Sequence, residues 1–282
     1  MVSRILDSHQ HFWKYSPSKY PWIVENMDVL KKDFLPKELG EIYDHQGVSG
    51  CIAVQAEQSD EETKFLLDLA DQHPFIKGVV GWVDLKNPLL PFRLEKYSGN
   101  KKLRGFRHLV QDEPDRDFML NPAFQRGLES LQESGYTYDL LVFPHHMEAA
   151  IQTARNFPGL KFVLDHIGKP DIENGELEDW KKSIQTLAIE PNVHCKISGL
   201  VTQASWTRWQ IDDFIPYLDT VVQAFGVDRL MYGSDWPVCL LAAKYAAVLN
   251  MMLHYFGGFS ELENEKIFYE NAKAFYGLDM AN

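Results

Sequence analysis

The stretch ILDSHQHFW, residues 5–13, begins as an apolar strand and ends with His9 and His11 one residue apart. Side chains on a strand alternate faces, so these two imidazoles point the same way, roughly 7 Å apart along the chain. Two ring nitrogens placed like this can converge on one metal ion. Asp7 shares their parity and is expected to accept a hydrogen bond from one ring, as partners behind a metal ligand do. Spacing alone leaves a second reading, a histidine pair in a solvated turn, because H-x-H is a short pattern.

The same form, a short apolar run closing in polar residues, recurs along the chain. Strands are expected at RILDSHQH, SGCIAVQA, KGVVGWV, LRGFRHL, YDLLVF, KFVLDHI, NVHCKIS and RLMYGSD. Helical patterns lie between them. Asp60 is the expected cap of a helix whose Phe65, Leu66, Leu69 and Ala70 form one apolar stripe. Asn121 caps and Pro122 begins another, with Phe124, Leu128 and Leu131 facing inward. Ile211, Phe214, Ile215, Leu218, Val222 and Phe225 make a third stripe that stops at Gly226. Ser260 and Glu263 form a capping box for the last helix, through Ile267 to Tyr276. Near-continuous apolar strands alternating with helices indicate a parallel sheet covered by helices. Eight such units in 282 residues predict an α/β fold, a (β/α)8 TIM-type barrel occupying residues 1–282 as one domain. No G-x-G-x-x-G follows the first strand, which removes the main support for an open dinucleotide-binding sheet. Residues 12–34 and 199–208 are long for simple connections, and such loops tend to be functional.

Composition bounds the function. Hydrophobic residues make up 45% and charged residues 24%, the profile of a globular protein with a large core. A formal net charge of −12 argues against a nucleic-acid partner and leaves a small molecule as the expected one. Cys51, Cys195 and Cys239 lie far apart, and buried reduced thiols are expected. No apolar h-region precedes Asp7, and no run approaches ~18 uncharged apolar residues. The expected setting is cytoplasmic, with no membrane partner; a homo-oligomer stays open.

In barrels of this kind, chemistry gathers at the carboxyl ends of the strands. Those ends carry His9 and His11, Arg107 and His108, Asp165 and His166, Lys196 and Ser198, and Ser234 and Asp235. Three imidazoles and one carboxylate, His9, His11, His166 and Asp235, suit a borderline-soft divalent ion such as zinc.

D-x-H-x-H on the first strand, GFRHLVQ, FVLDHIGKP and LMYGSDWPV together resemble the amidohydrolase superfamily, in order and over nearly the whole chain from Ile5. More narrowly they resemble its branch of sugar-lactone hydrolases, L-fuconolactonases and L-rhamnonolactonases, related to the pyrone-dicarboxylate lactonases. The resemblance implies a distorted barrel and hydrolysis of ester-like bonds. One departure is visible: where many members carry a metal-binding lysine on strand four, this chain has Arg107–His108, which disfavours a carbamylated-lysine dinuclear site. His145 and His146 lie just past strand five, beyond the place of the ligand that many members carry there, and read as the start of a loop or helix.

The implied reaction is opening of a sugar-acid lactone by an activated water. Asp235 is the candidate base, and His166 a metal ligand or a donor to the developing oxyanion. Arg107, with its fork of donors, suits substrate oxygens, with a salt bridge to an acidic neighbour as the structural alternative. His108, Lys169, Trp13 and Trp236 are the other candidate substrate contacts; Lys196 is a further possible cation, and Trp82 reads as core. Two other readings stay open. The same site would serve an aromatic-pathway lactone or a nonoxidative decarboxylation, and a non-catalytic carbohydrate-binding barrel is the remote case.

Overall fold

A computed structural model describes residues 2 and 4–279. Eight parallel strands pair in chain order: β1 Ile5–Gln10, β2 Val48–Val54, β3 Ile76–Gly81, β4 Leu103–His108, β5 Thr137–Leu140, β6 Phe162–Leu164, β7 Val193–Ile197 and β8 Leu230–Tyr232. Helices connect them: α1 Pro36–Gln46, α2 Asp60–Gln72, α3 Leu90–Glu95, α4 Pro122–Glu133, α5 Met147–Asn156, α6 Glu178–Leu187, α7 Leu200–Gln203 and α8 Ile211–Phe225. After β8 come α9 Tyr245–Tyr255, α10 Glu261–Glu265 and α11 Asn271–Phe275. This is the expected (β/α)8 barrel.

The ring closes beyond β8 rather than within it. Asp235 N donates to His9 O at 2.8 Å and His11 N to Trp236 O at 2.7 Å. Close approach makes this possible: a Cβ on Gly233 would lie 2.7 Å from His9 Cβ. The seam that shuts the barrel therefore also sets the histidine pair beside Asp235.

Two apolar layers hold the barrel. Leu66, Leu128, Phe214 and many others fill the space between sheet and helices. Inside, Leu6, Ile52, Val54, Val80, Val163 and Met231 pack on Tyr269, Phe275 and Tyr276, so the C-terminal helical segment plugs the barrel floor. The inward positions one step higher are Arg107, Asp139, Asp165 and Lys196, all buried. The interior is thus apolar at one end and charged at the end where the strands finish.

Local signals mostly hold, with instructive exceptions. Asn121 caps α4, and Ser260 with Glu263 forms the capping box of α10. The cap of α2 is Ser59, not Asp60: its hydroxyl accepts from Glu62 N, and Asp60 is the first helical residue. Ile215 stays 36% exposed on α8. The last helix is interrupted by a π-turn over Lys266–Glu270. All three cysteines are free and buried. Among the described residues, no helix is long and apolar enough to cross a membrane.

Candidate active site

A register shift in β1 between Asp7 and Gln10 breaks the simple alternation. A bulge of this kind re-aims the residues that follow it. Asp7 precedes the shift and, one residue after inward Leu6, faces the helices, where it accepts from Tyr43 Oη at 3.0 Å, Tyr245 Oη at 3.2 Å and Ser234 N at 2.9 Å; the shift turns His9 inward instead. Asp7 does not partner a histidine ring, as parity had suggested. That position belongs to Asp165, whose Oδ1 lies 3.2 Å from His9 Nδ1.

Beyond the bulge, His9 Nε2 and His11 Nε2 stand 3.2 Å apart. Asp235 Oδ1 lies 3.4 Å from His11 Nε2, 3.9 Å from His9 Nε2 and 4.0 Å from His166 Nε2. His166 and Asp235 reach this cluster from turns rather than strands. Both have left-handed backbone, φ 53° and 58°, as do Ile167 and Lys169. Such conformations cost non-glycine residues of order 1–3 kcal/mol each and gather at functional sites. Gly199 allows the His166 ring its place, since a Cβ there would sit 2.5 Å from His166 Nδ1.

The outer nitrogens fix the tautomers. His11 Nδ1 donates to Val54 O at 2.7 Å, and His9 Nδ1 faces the Asp165 carboxylate. His166 Nδ1 meets the Ser198 hydroxyl at 2.9 Å. The Nε2 lone pairs of His9 and His11 then face each other, with Arg107 Nη1 3.3 Å from His9 Nε2. Burial lowers the pKa of all three rings, that of His166 to about 4, so they are the neutral imidazoles that bind metals. Burial would raise Asp235, but His166, the His11 contact and Lys169 outweigh it and keep this carboxylate ionised.

Two overlapping donor groups, His9–His11–Asp235 and His9–Asp165–His166, have the spacing to hold a metal ion. Charge separates them. Donors about 2.0–2.1 Å from a tetrahedral zinc lie ~3.3 Å apart, close to the spacing of the first group. In the second, Asp165 is already paired with Lys196 Nζ at 3.0 Å and Arg107 Nη1 at 2.9 Å. A divalent ion there would face two positive charges, whereas among the described residues the donor atoms of the first group contact one, Arg107, whose Nη1 lies 3.3 Å from His9 Nε2. The first group, completed by His166, is the better fit.

Beneath the cluster Lys196 binds Asp139 Oδ2 at 2.5 Å, and Tyr276 Oη of the C-terminal segment donates to the same carboxylate at 3.0 Å. Burial works to raise Asp165, but Lys196, His9 and Arg107 hold it well below the usual carboxylate range. Lys196 is thus enclosed among charges instead of lining the cavity. Lys196→Met strands buried Asp139 and should cost about 3–5 kcal/mol, a fall in Tm of order 10 °C. Calorimetry decides it: an unchanged Tm would show the pair to be energetically idle.

The donor cluster floors a cavity of about 420 Å³ walled by Arg107, Lys169, Gln111, Phe143, Trp22 and Trp206 among others. Of the sequence candidates, His11, Arg107, His166, Lys169 and Asp235 line it. His108 does not: one step from inward-facing Arg107, it turns outward, bonds Glu113 at 2.7 Å and stacks on Phe118. Trp13 and Trp236 are also elsewhere, fully buried against Phe34. The indoles at the cavity are Trp22 and Trp206, which the sequence reading did not single out; their place in the two long loops is the signal that could have found them. His146 bonds Glu113 O at 3.1 Å, and His145 lies further out. Arg107 is both a cavity wall and a salt bridge, with Nη1 on Asp165 and Nη2 donating to Gln55 O.

Known proteins show the same plan. The chain is 43% identical over 257 residues to an L-fucono-1,5-lactonase of Burkholderia multivorans, covering 88% of this chain and 86% of that protein. An L-fucono-1,5-lactonase of Burkholderia ambifaria is 37% identical, covering 85% and 82%. A crystal structure of an amidohydrolase from Burkholderia multivorans with bound zinc superposes with a TM-score of 0.95 at 41% identity, over 98% of this chain and 99% of that one. With the Amidohydrolase family itself matching residues 6–278, this chain belongs to that family.

Proposed function

We propose that the protein hydrolyses a sugar-acid lactone of the L-fucono- or L-rhamnono-lactone kind, with a divalent ion, zinc by preference, held by His9, His11, Asp235 and His166. The observation that carries this reading is an ionised Asp235 carboxylate within 4.0 Å of three imidazole nitrogens at the floor of a cavity with aromatic and polar walls. The substrate class is supported by the likeness to L-fucono-1,5-lactonases.

A lactone is an internal ester, so its opening needs a nucleophilic water, a base and a means of carrying charge on the carbonyl oxygen. Asp235 takes the proton of the attacking water and returns it to the ring oxygen as the ester bond breaks. When bound, a divalent ion would polarise the carbonyl and acidify water. Lys169, whose ammonium bonds Gln111 Oε1 at 2.5 Å, and Arg107 present positive charge to the same space. They orient the substrate's oxygens and stabilise the anionic tetrahedral state. Trp22 and Trp206 offer flat surface to a sugar ring.

A pH-indicator assay across a panel of aldonolactones, with the metal content of the same sample measured, tests the reading. Turnover of a six-carbon sugar lactone supports it. Turnover confined to aromatic lactones or carboxylated aromatics would replace it with the alternatives. Arg107→Lys keeps a charge beside Asp165 but loses the rigid fork that also reaches Gln55 O. A drop in kcat/KM of more than about tenfold is expected; unchanged kinetics would make Arg107 purely structural.

A further inference from the structure

Beside the reaction cavity lies a larger, open hollow of about 840 Å³, whose Asp171, Glu173 and Asn174 are exposed. The two share Phe143, Lys169, Thr202, Gln203 and Trp206 as a common wall, so a ligand seated at the donor cluster can extend between them. The outer space is a product of the chain path. Left-handed Lys169 turns the segment after β6 outward, and Glu173 N donates to Gln203 O at 3.0 Å, tying that segment to the end of α7.

Its own lining is polar in a particular way. Asn26 and Asn174 offer amides, Asp171 and Glu173 offer carboxylates, and His145 an imidazole. Asp171 is held in place by Asn174, whose amide donates to Oδ2 at 2.8 Å. Trp206 gives one broad aromatic face. Two carboxylates disfavour an anionic ligand in the outer part, while the one lysine, Lys169, sits on the wall shared with the reaction cavity and bonds Gln111. Amides and carboxylates instead bond hydroxyl groups in both directions, while an indole takes the C–H face of a pyranose. The inner cavity, within the ~300–1,000 Å³ usual for small-molecule sites, already accommodates one lactone ring.

We infer that the outer cavity is a glycosyl subsite, which binds the neutral second sugar ring of an aldobionolactone while its lactone ring lies at the donor cluster. This rests on the lactonase reading and extends it to a substrate class. Binding energy from a remote ring is realised as catalytic efficiency on the reacting one. The charge pattern further excludes uronic-acid extensions, which would meet Asp171 and Glu173.

The probes are the lactones of cellobionic, lactobionic and maltobionic acids beside glucono-lactone, which is the same reacting ring without the second sugar. At least one disaccharide-derived lactone should show kcat/KM about tenfold above that of glucono-lactone, through a lower KM. Glu173→Ala and Asn174→Ala, both outside the reaction cavity, should remove about fivefold or more of that gain while leaving the simple lactone within about twofold. Their melting curves are measured alongside, so an unfolded variant is recognised and replaced by Glu173→Gln. Turnover of simple lactones without any gain for the three larger ones overturns the subsite and leaves the lactonase reading intact. Equal losses for both substrate classes in folded variants overturn it as well. Absence of all lactone turnover would instead defeat the lactonase reading on which the subsite rests.

Discussion

Asp235→Asn lowers turnover by at least about a hundredfold while the protein stays folded, as removal of a general base predicts. The carboxylate is buried, kept ionised by the groups around it, and faces three imidazoles across 3.4–4.0 Å. Asparagine keeps the shape and removes the base. It also tolerates the left-handed backbone at this position, φ 58°, better than most residues, so the turn that closes the barrel survives. Steady-state kinetics and a melting curve on the same preparation separate chemistry from folding. Near-normal turnover with a normal Tm would assign the base elsewhere.

On the proposed metal site, chelation has the second large expected effect. Incubation with a chelator followed by its removal abolishes lactone hydrolysis, and added Zn²⁺ or Mn²⁺ restores it. The reason is local: His9 and His11 present neutral nitrogens 3.2 Å apart with an ionised carboxylate beside them, a donor set suited to a divalent ion. Metal content supplies a readout independent of activity. His11→Ala should lower bound zinc per chain, whereas Glu173→Ala should not. Full activity in a sample shown by elemental analysis to be metal-free would sink this prediction without touching the lactonase assignment.

The two experiments distinguish two contributions to one step. If Asp235→Asn retains zinc yet loses turnover, the carboxylate acts on a proton. If it loses both together, its first duty is to hold the ion. The charged layer below makes either result interpretable, because Asp139, Asp165, Lys196 and Arg107 pin His9 from beneath whatever occupies the cavity.

The sequence by itself determined the barrel and most of the donor cluster, because both depend on short-range patterns. Short apolar runs separated by capped amphipathic helices specify parallel strands with little help from distant contacts. Polar residues that end such runs must arrive on one rim once the barrel closes, which is why His9, His11, His166 and Asp235 were legible as a set. Tertiary structure decided which way individual side chains face. A register shift after Asp7 breaks the parity between it and His9, so that Asp7 stays toward the helices while His9 turns inward to Asp165. Strand alternation turns His108 away where Arg107 turns in. Loop packing buries Trp13 and Trp236 and brings Trp22 and Trp206 to the cavity instead. Asp139 drew no attention in the sequence, since a single acid in an apolar strand reveals no partner. It becomes intelligible only because β5 and β7 place it 2.5 Å from Lys196. Periodicity is a property of neighbours along the chain, whereas a bulge, a seam or a buried ion pair exists only between segments that folding brings together.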